Sequence, residues 1–365
     1  LINSAFFLGA MLAAVFSQKL IVTVGHARSF SAFSAIMVMA FLGHALWFDP
    51  WFWATLRLVS GFAFYAMLIV LESWLNEKSS TEDRGKILAI YTIVFFLALA
   101  FGQLLLMLEM PANTIFILGS ILVLWSLIFV AITRVSQPVL KPFERYSMPK
   151  LLSIAPLALV GSFIGGVFIG AFYTMLPLYV LNVFTMLGGL MSQLPVGMLS
   201  DRIGRRKMLA WSGFFGAGVF LLMLVLPLIW RESVTLLYTV GFLLGVSLFS
   251  IYPLSVARAN DVFDENTDLV EISRTLLFSY GLGSFIAPLL LGFVLGFSAI
   301  AFFTVLTLFA LALGYYALQS ERISEDHMNV YVAVPATSGD VLAEMDPRMD
   351  EQWVEDHRPH PEPTT

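Results

Sequence analysis

The sequence predicts an all-α polytopic membrane protein, on three observations. The hydrophobic fraction is 59% against a charged fraction of 12%, with a mean hydropathy of +0.85, well outside soluble composition. The apolar residues fall in runs of roughly 20 or more, the length a helix needs to cross a bilayer. Lys and Arg gather in alternate links between those runs, as the positive-inside rule expects of a chain threaded back and forth.

Each span has its own run. Helices are expected at about 2–22, 29–47, 51–76, 87–107 and 112–133, then at about 151–175, 178–199, 208–230, 234–257, 274–296 and 299–318. This gives eleven spans. The organisation expected is a transmembrane half over 1–133, a cytoplasmic linker over 134–150, a second transmembrane half over 151–318 and a tail over 319–365. The linker stands out by its prolines and four basic residues. From Glu321 the tail carries eleven acids against three arginines, so it contributes −8 to a net charge of −5 and leaves the remainder about +3. That remainder suits loops facing an anionic inner leaflet. The tail's polar, Pro-containing end reads as disordered.

Lys19 and Arg28, then Lys78, Arg84 and Lys86, the linker, Arg202 to Lys207, and Arg258 with Arg274 share one side; the other side holds only Arg231. The first helix therefore runs outside to inside, and the tail is cytoplasmic. This orientation asks for one further span before Leu1, twelve in all, and the opening in mid-run suggests an N-terminal fragment. Trp47, Phe48, Trp51, Phe52 and Trp53 flank Asp49-Pro50 as an aromatic belt at the outer interface. The absence of cysteine removes disulfides, thiolate metal sites and Cys nucleophiles.

One link is unusually specific. Gly197-Met-Leu199-Ser-Asp201-Arg202-Ile-Gly204-Arg205-Arg206-Lys207 reads as a compact basic turn between uncharged runs on both sides. A shift of 179 residues lays it on Gln18 to Arg28, matching Gly25 to Gly204 and Arg28 to Lys207, with Val22 where Asp201 stands. A shift of 184 lays Arg57–Gly61 on Gly241–Gly245. The chain is therefore an internal repeat with a degenerate first copy.

The pattern Gly-x-Leu-x-Asp-Arg-x-Gly-Arg-Arg-Lys, between the second and third helices of a six-helix half, resembles motif A of the major facilitator superfamily. Within it the chain is similar to the YcaD-like branch through Arg57 to Gly61, Glu72-Ser-Trp74, Arg84-Gly-Lys86 with Tyr91, Gly102-Gln103, and Tyr252-Pro253. The resemblance implies a major facilitator fold of two pseudo-symmetric six-helix halves with the first helix missing. It implies a secondary transporter of the bacterial inner membrane, moving a small organic solute by alternating access with a proton or ion gradient. It implies no cofactor, no metal, no nucleic acid and a monomer, and no enzyme activity. Between Pro177 and Gly197 the chain is shorter than the pattern, with 49 residues from Leu151 to Leu199 for two spans and a tight turn expected near 181–187.

Motif A implies a gate. Gly197 and Gly204 permit close approach, and Asp201 is expected to meet the positive end of the helix beginning near Arg84. Candidates for the cavity and for coupling are Arg57, Gly61, Tyr65 and Glu72 on one helical stripe, with Tyr91, Gln103, Tyr173, Thr174 and Tyr252. Arg57 is either a buried functional cation or a residue snorkelling to outer headgroups. Glu72 is either an ion-pair partner of the basic inner loops or a proton-carrying carboxylate. Gly161, Gly165, Gly166 and Gly170 have packing spacing, and Gln193 suits interhelical hydrogen bonding. His44 is read as structural and Tyr252-Pro253 as a kink. A membrane enzyme on a lipid-linked substrate would need clustered acids, histidines or a nucleophile, which the sequence does not offer; a non-transporting receptor or scaffold of the same fold is the other alternative.

Overall fold

The computed structural model describes residues 2–78, 84–108, 110–133, 152–175, 179–229, 233–262 and 269–320. The linker over 134–150 and the tail beyond Ser320 lie outside them. Eleven long helices carry the described chain: α1 (Ile2–Val24), α2 (His26–Leu46), α3 (Pro50–Lys78), α4 (Arg84–Leu106), α5 (Ala112–Ile132), α6 (Pro156–Met175), α7 (Tyr179–Ile203), α8 (Arg205–Ile229), α9 (Val234–Val262), α10 (Leu269–Phe297) and α11 (Ala299–Gln319). Ten are long and apolar enough to cross a membrane, and α4 contributes a shorter apolar stretch, Ile90–Leu106.

Two boundaries differ from expectation for a physical reason. The turn from Gly197 to Lys207 is mostly helix: α7 runs to Ile203, α8 starts at Arg205, and Gly204 alone links them. Gly204 has φ 91° and Gly25 has φ 86°, the two positive-φ glycines among the described residues. Both sit between consecutive helices, and a left-handed residue reverses the chain in one step. The second difference lies before α7, which has 25 residues and fills a full span. The tight turn expected near 181–187 is absent, because those residues belong to α7, and 176–178 lie outside the described residues.

The repeat is visible in helix packing. In α1–α5, α1 packs along α3 and α2 along α5; in α6–α11, the matching pairs are α7 with α9 and α8 with α11. A Cβ on Gly61 would collide with the Phe6 carbonyl, and one on Gly245 with the Thr185 carbonyl. A Cβ on Gly9 would strike the Leu58 carbonyl, and one on Gly188 the Phe242 carbonyl. These are the same contacts under shifts of 179 and 184 residues. Close glycine seams let apolar helices gain dispersion contacts where lipid offers no hydrophobic drive.

Two seams join α1–α5 to α6–α11. α1 packs on α10 and α4 on α7, and the repeat exchanges one seam for the other. α6 also lies along α10, but no counterpart stands against α4 among the described residues. There α4 shows an apolar stripe, Ile90, Ile93, Val94, Leu97, Phe101 and Leu104, between 45% and 62% exposed.

Candidate functional site

At the Gly204 end, the four basic motif residues part company because helix phase sends them in different directions. Arg205 is 1% exposed at the start of α8. A buried cation at a helix N-terminus opposes the helix dipole and needs anionic compensation. Asp201 supplies it from one turn earlier, together with the Ser200 hydroxyl, and Asp261 at the end of α9 lies 3.4 Å from the Arg205 Nε. Arg205 thereby ties α7, α8 and α9 together. Arg206 donates to the carbonyls of Leu318 and Ser320, at 2.9 and 2.8 Å, satisfying acceptors that the C-terminus of α11 leaves open. Arg202 and Lys207 are exposed, Leu199 is 38% exposed, and Gly197 is buried.

The first copy has a histidine–serine contact where this charge network stands. His26 occupies the place of Arg205, directly after Gly25, and its Nε2 lies 2.9 Å from the Ser73 hydroxyl of α3. Arg28 is exposed, like Lys207. The side chain of Arg84 lies outside the described residues; α4, which begins there, packs along the α7 that carries Asp201.

Deeper in the bundle, Glu72 is 1% exposed and accepts a hydrogen bond from the Tyr91 hydroxyl at 2.7 Å. Two of the coupling candidates, on α3 and α4, are therefore joined directly. Tyr65, two turns up α3, lies within electrostatic reach of Glu72. Tyr65 in turn faces a small cavity between helices of both groups, with Phe7 and Met11 of α1 and Leu277, Tyr280 and Ser284 of α10. Tyr280 is 5% exposed, stacks obliquely on Tyr252 with ring centroids 4.7 Å apart, and is within electrostatic reach of Tyr65, Tyr173 and Tyr252. The structure thus sets Tyr65 across the cavity from Tyr280, packed on Tyr252, and Tyr280 is a residue that the sequence reading missed. Its signal was available: Tyr280 is a polar-tipped residue inside an apolar run, as Tyr173 and Tyr252 are.

The remaining candidates separate. Gly61 is packed against the α1 backbone, so it serves helix approach and does not line the cavity. Arg57 lies roughly 10 Å into α3 from Pro50, at the end with the exposed Trp47 and Trp51. Its Nε is enclosed without a hydrogen-bond partner among the described residues, and His44 is within its field. Gln103 is half-buried on α4, and the Thr174 side chain lies outside the described residues. Gly161 and Gly165 pack against α9, Gly166 and Gly170 against α10.

Residues 180–329 match the model of the Major Facilitator Superfamily. An uncharacterised MFS-type transporter of Enterobacter sp. (strain 638) is 27% identical over 304 residues, 79% of this chain and 77% of its own length. The uncharacterised MFS-type transporter YcaD of Escherichia fergusonii is 28% identical over 307 residues, with the same coverage. The crystal structure of a mutant of the nucleoside transporter NupG superposes with a TM-score of 0.65 at 13% identity, covering 87% of this chain and 90% of that one. These findings bear out the resemblance to the superfamily and its YcaD-like branch. The chain has the major facilitator fold.

Proposed function

We propose that this chain, built on the major facilitator fold, is a secondary transporter of the bacterial inner membrane, with its C-terminus cytoplasmic. It moves a small organic solute by alternating access, driven by a proton or ion gradient. The observation that carries this reading is the cavity walled by α1 and α3 on one side and α10 on the other. It lies between groups of helices whose two seams, α1 with α10 and α4 with α7, are exchanged by the repeat. Seams related in this way give two equivalent packings, the requirement for a bistable rocking element. Glu72, held by Tyr91 and linked through Tyr65 to the cavity, is the coupling carboxylate in this reading.

Asp201 has the latch role. It stands on α7, which packs along α4, and it organises Arg205; closure at this end depends on its charge meeting the positive end of α4 near Arg84. Asp201→Ala is expected to slow transport and raise the accessibility of residues at the Gly204 end to a water-soluble label. Wild-type rate with unchanged labelling removes the latch. For the transporter itself, vesicles reconstituted with the chain should accumulate a solute when a proton gradient is imposed. Collapse of the gradient should stop accumulation but leave solute exchange, and a chain that does neither is not a transporter.

A further inference from the structure

Resting on the transporter reading above, we propose that the solute is uncharged and carries a flat ring with hydroxyl or N–H groups, held by Tyr65 and Tyr280. The cavity between α1, α3 and α10 is lined by Phe7, Met11, Tyr65, Leu277, Tyr280 and Ser284, together with small residues, and none of its described lining residues carries a formal charge. A charged solute entering that wall loses its hydration and gains no counter-ion from the lining, since Glu72 stands outside it and is held by Tyr91. Tyrosine faces attract cations, but that attraction is smaller than the hydration lost. An uncharged ring loses little and gains stacking against tyrosine and phenylalanine edges and faces.

The polar atoms suit the same ligand. Tyr280 is backed by the Tyr252 ring at 4.7 Å, which fixes its plane. The Ser284 hydroxyl, one turn on, already bonds the Gly166 and Tyr280 carbonyls at 3.0 Å each. Ser284 is thus spent on packing, and the tyrosyl hydroxyls are the groups left to exchange hydrogen bonds with a solute. Arg57 lies toward the other end of α3 and is not part of this lining, so an anion held there would be a different site.

The test is a charge-matched series on the purified full chain. Phenyl β-glucoside is neutral, phenyl β-glucuronide anionic, and phenyl β-glucosaminide cationic in mildly acidic buffer; each is titrated against thermal melting. The neutral member is expected to raise the melting temperature most, since a ligand of the folded state stabilises it. Tyr280→Phe, which keeps the ring, should weaken that binding about tenfold, and Tyr280→Leu should abolish it. Both variants should melt cooperatively without ligand, and Arg57→Gln should bind as the parent does. A preference for either charged member, binding lost in Arg57→Gln, or no shift with any of the three overturns the assignment. Exchange of labelled glucoside across reconstituted vesicles separates the two readings. Binding without exchange overturns the transporter and keeps the site, whereas exchange of a charged member alone keeps the transporter and overturns the solute class.

Discussion

Arg205 and His26 occupy one position in two copies of the same turn, yet one is a buried guanidinium between carboxylates and the other an imidazole against a serine hydroxyl. Removing one partner of a buried charge network leaves the other uncompensated, which costs about 3–5 kcal/mol. Arg205→Met is therefore expected to lower the melting temperature sharply, and Arg205→Lys to recover little, because a point charge cannot span Asp201, Ser200 and Asp261 as a fork does. His26→Ala gives up the hydrogen bond with Ser73, worth about 1 kcal/mol. Thermal melting of the three variants side by side reads this order, and equal losses for Arg205→Met and His26→Ala would refute it. The sequence carried the glycine hinge and the repeat, because both are matters of residue type and spacing. It did not tell which of three consecutive basic residues is buried, since that is decided by the phase at which α8 begins, one residue after Gly204.

The same limit acts at the scale of helices, where spans were legible from apolar runs but their ends and partners were not. α7 extends through Asp201 because helix tolerates the polar residues of the motif, and only the left-handed Gly204 stops it. α9 likewise runs through Pro253. Proline has no N–H to give to the carbonyl one turn back, which is that of Phe249. The Gln193 amide of α7 donates to that carbonyl at 3.1 Å. Gln193→Leu strands a buried acceptor and should cost about 1–3 kcal/mol. Adding Pro253→Ala restores a donor within α9, so the double variant should regain part of the loss; melting that falls further in the double variant would show that the two residues are not coupled. Glycine seams make a parallel case. Gly61→Ala and Gly245→Ala force α1 from α3 and α7 from α9, at about 1–3 kcal/mol each, whereas Gly102→Ala meets open space and should melt as the parent does.

At the scale of the whole molecule, the fold was readable because a repeat, an alternation of basic links and a motif in its topological place all pointed the same way. The cavity was only half readable: Tyr65 was named from its helix, but its approach to Tyr280 of α10 depends on how the two groups of helices meet. That meeting can be tested by covalent closure. Met11 of α1 and Gly281 of α10 face each other across the seam, and a Cβ built on Gly281 stands 3.8 Å from the Met11 Cβ, the separation that a disulfide favours. The chain has no cysteine, so no other thiol competes. Met11→Cys with Gly281→Cys should therefore oxidise to an intramolecular crosslink, visible as a changed mobility in non-reducing electrophoresis. If transport requires α1 and α10 to separate, the oxidised protein should lose solute exchange and reductant should restore it. Each single-cysteine variant should be indifferent to oxidant. Full exchange by the crosslinked protein would mean that the α1 with α10 seam never opens, and alternating access by rocking of the two groups would then be the wrong mechanism for this chain.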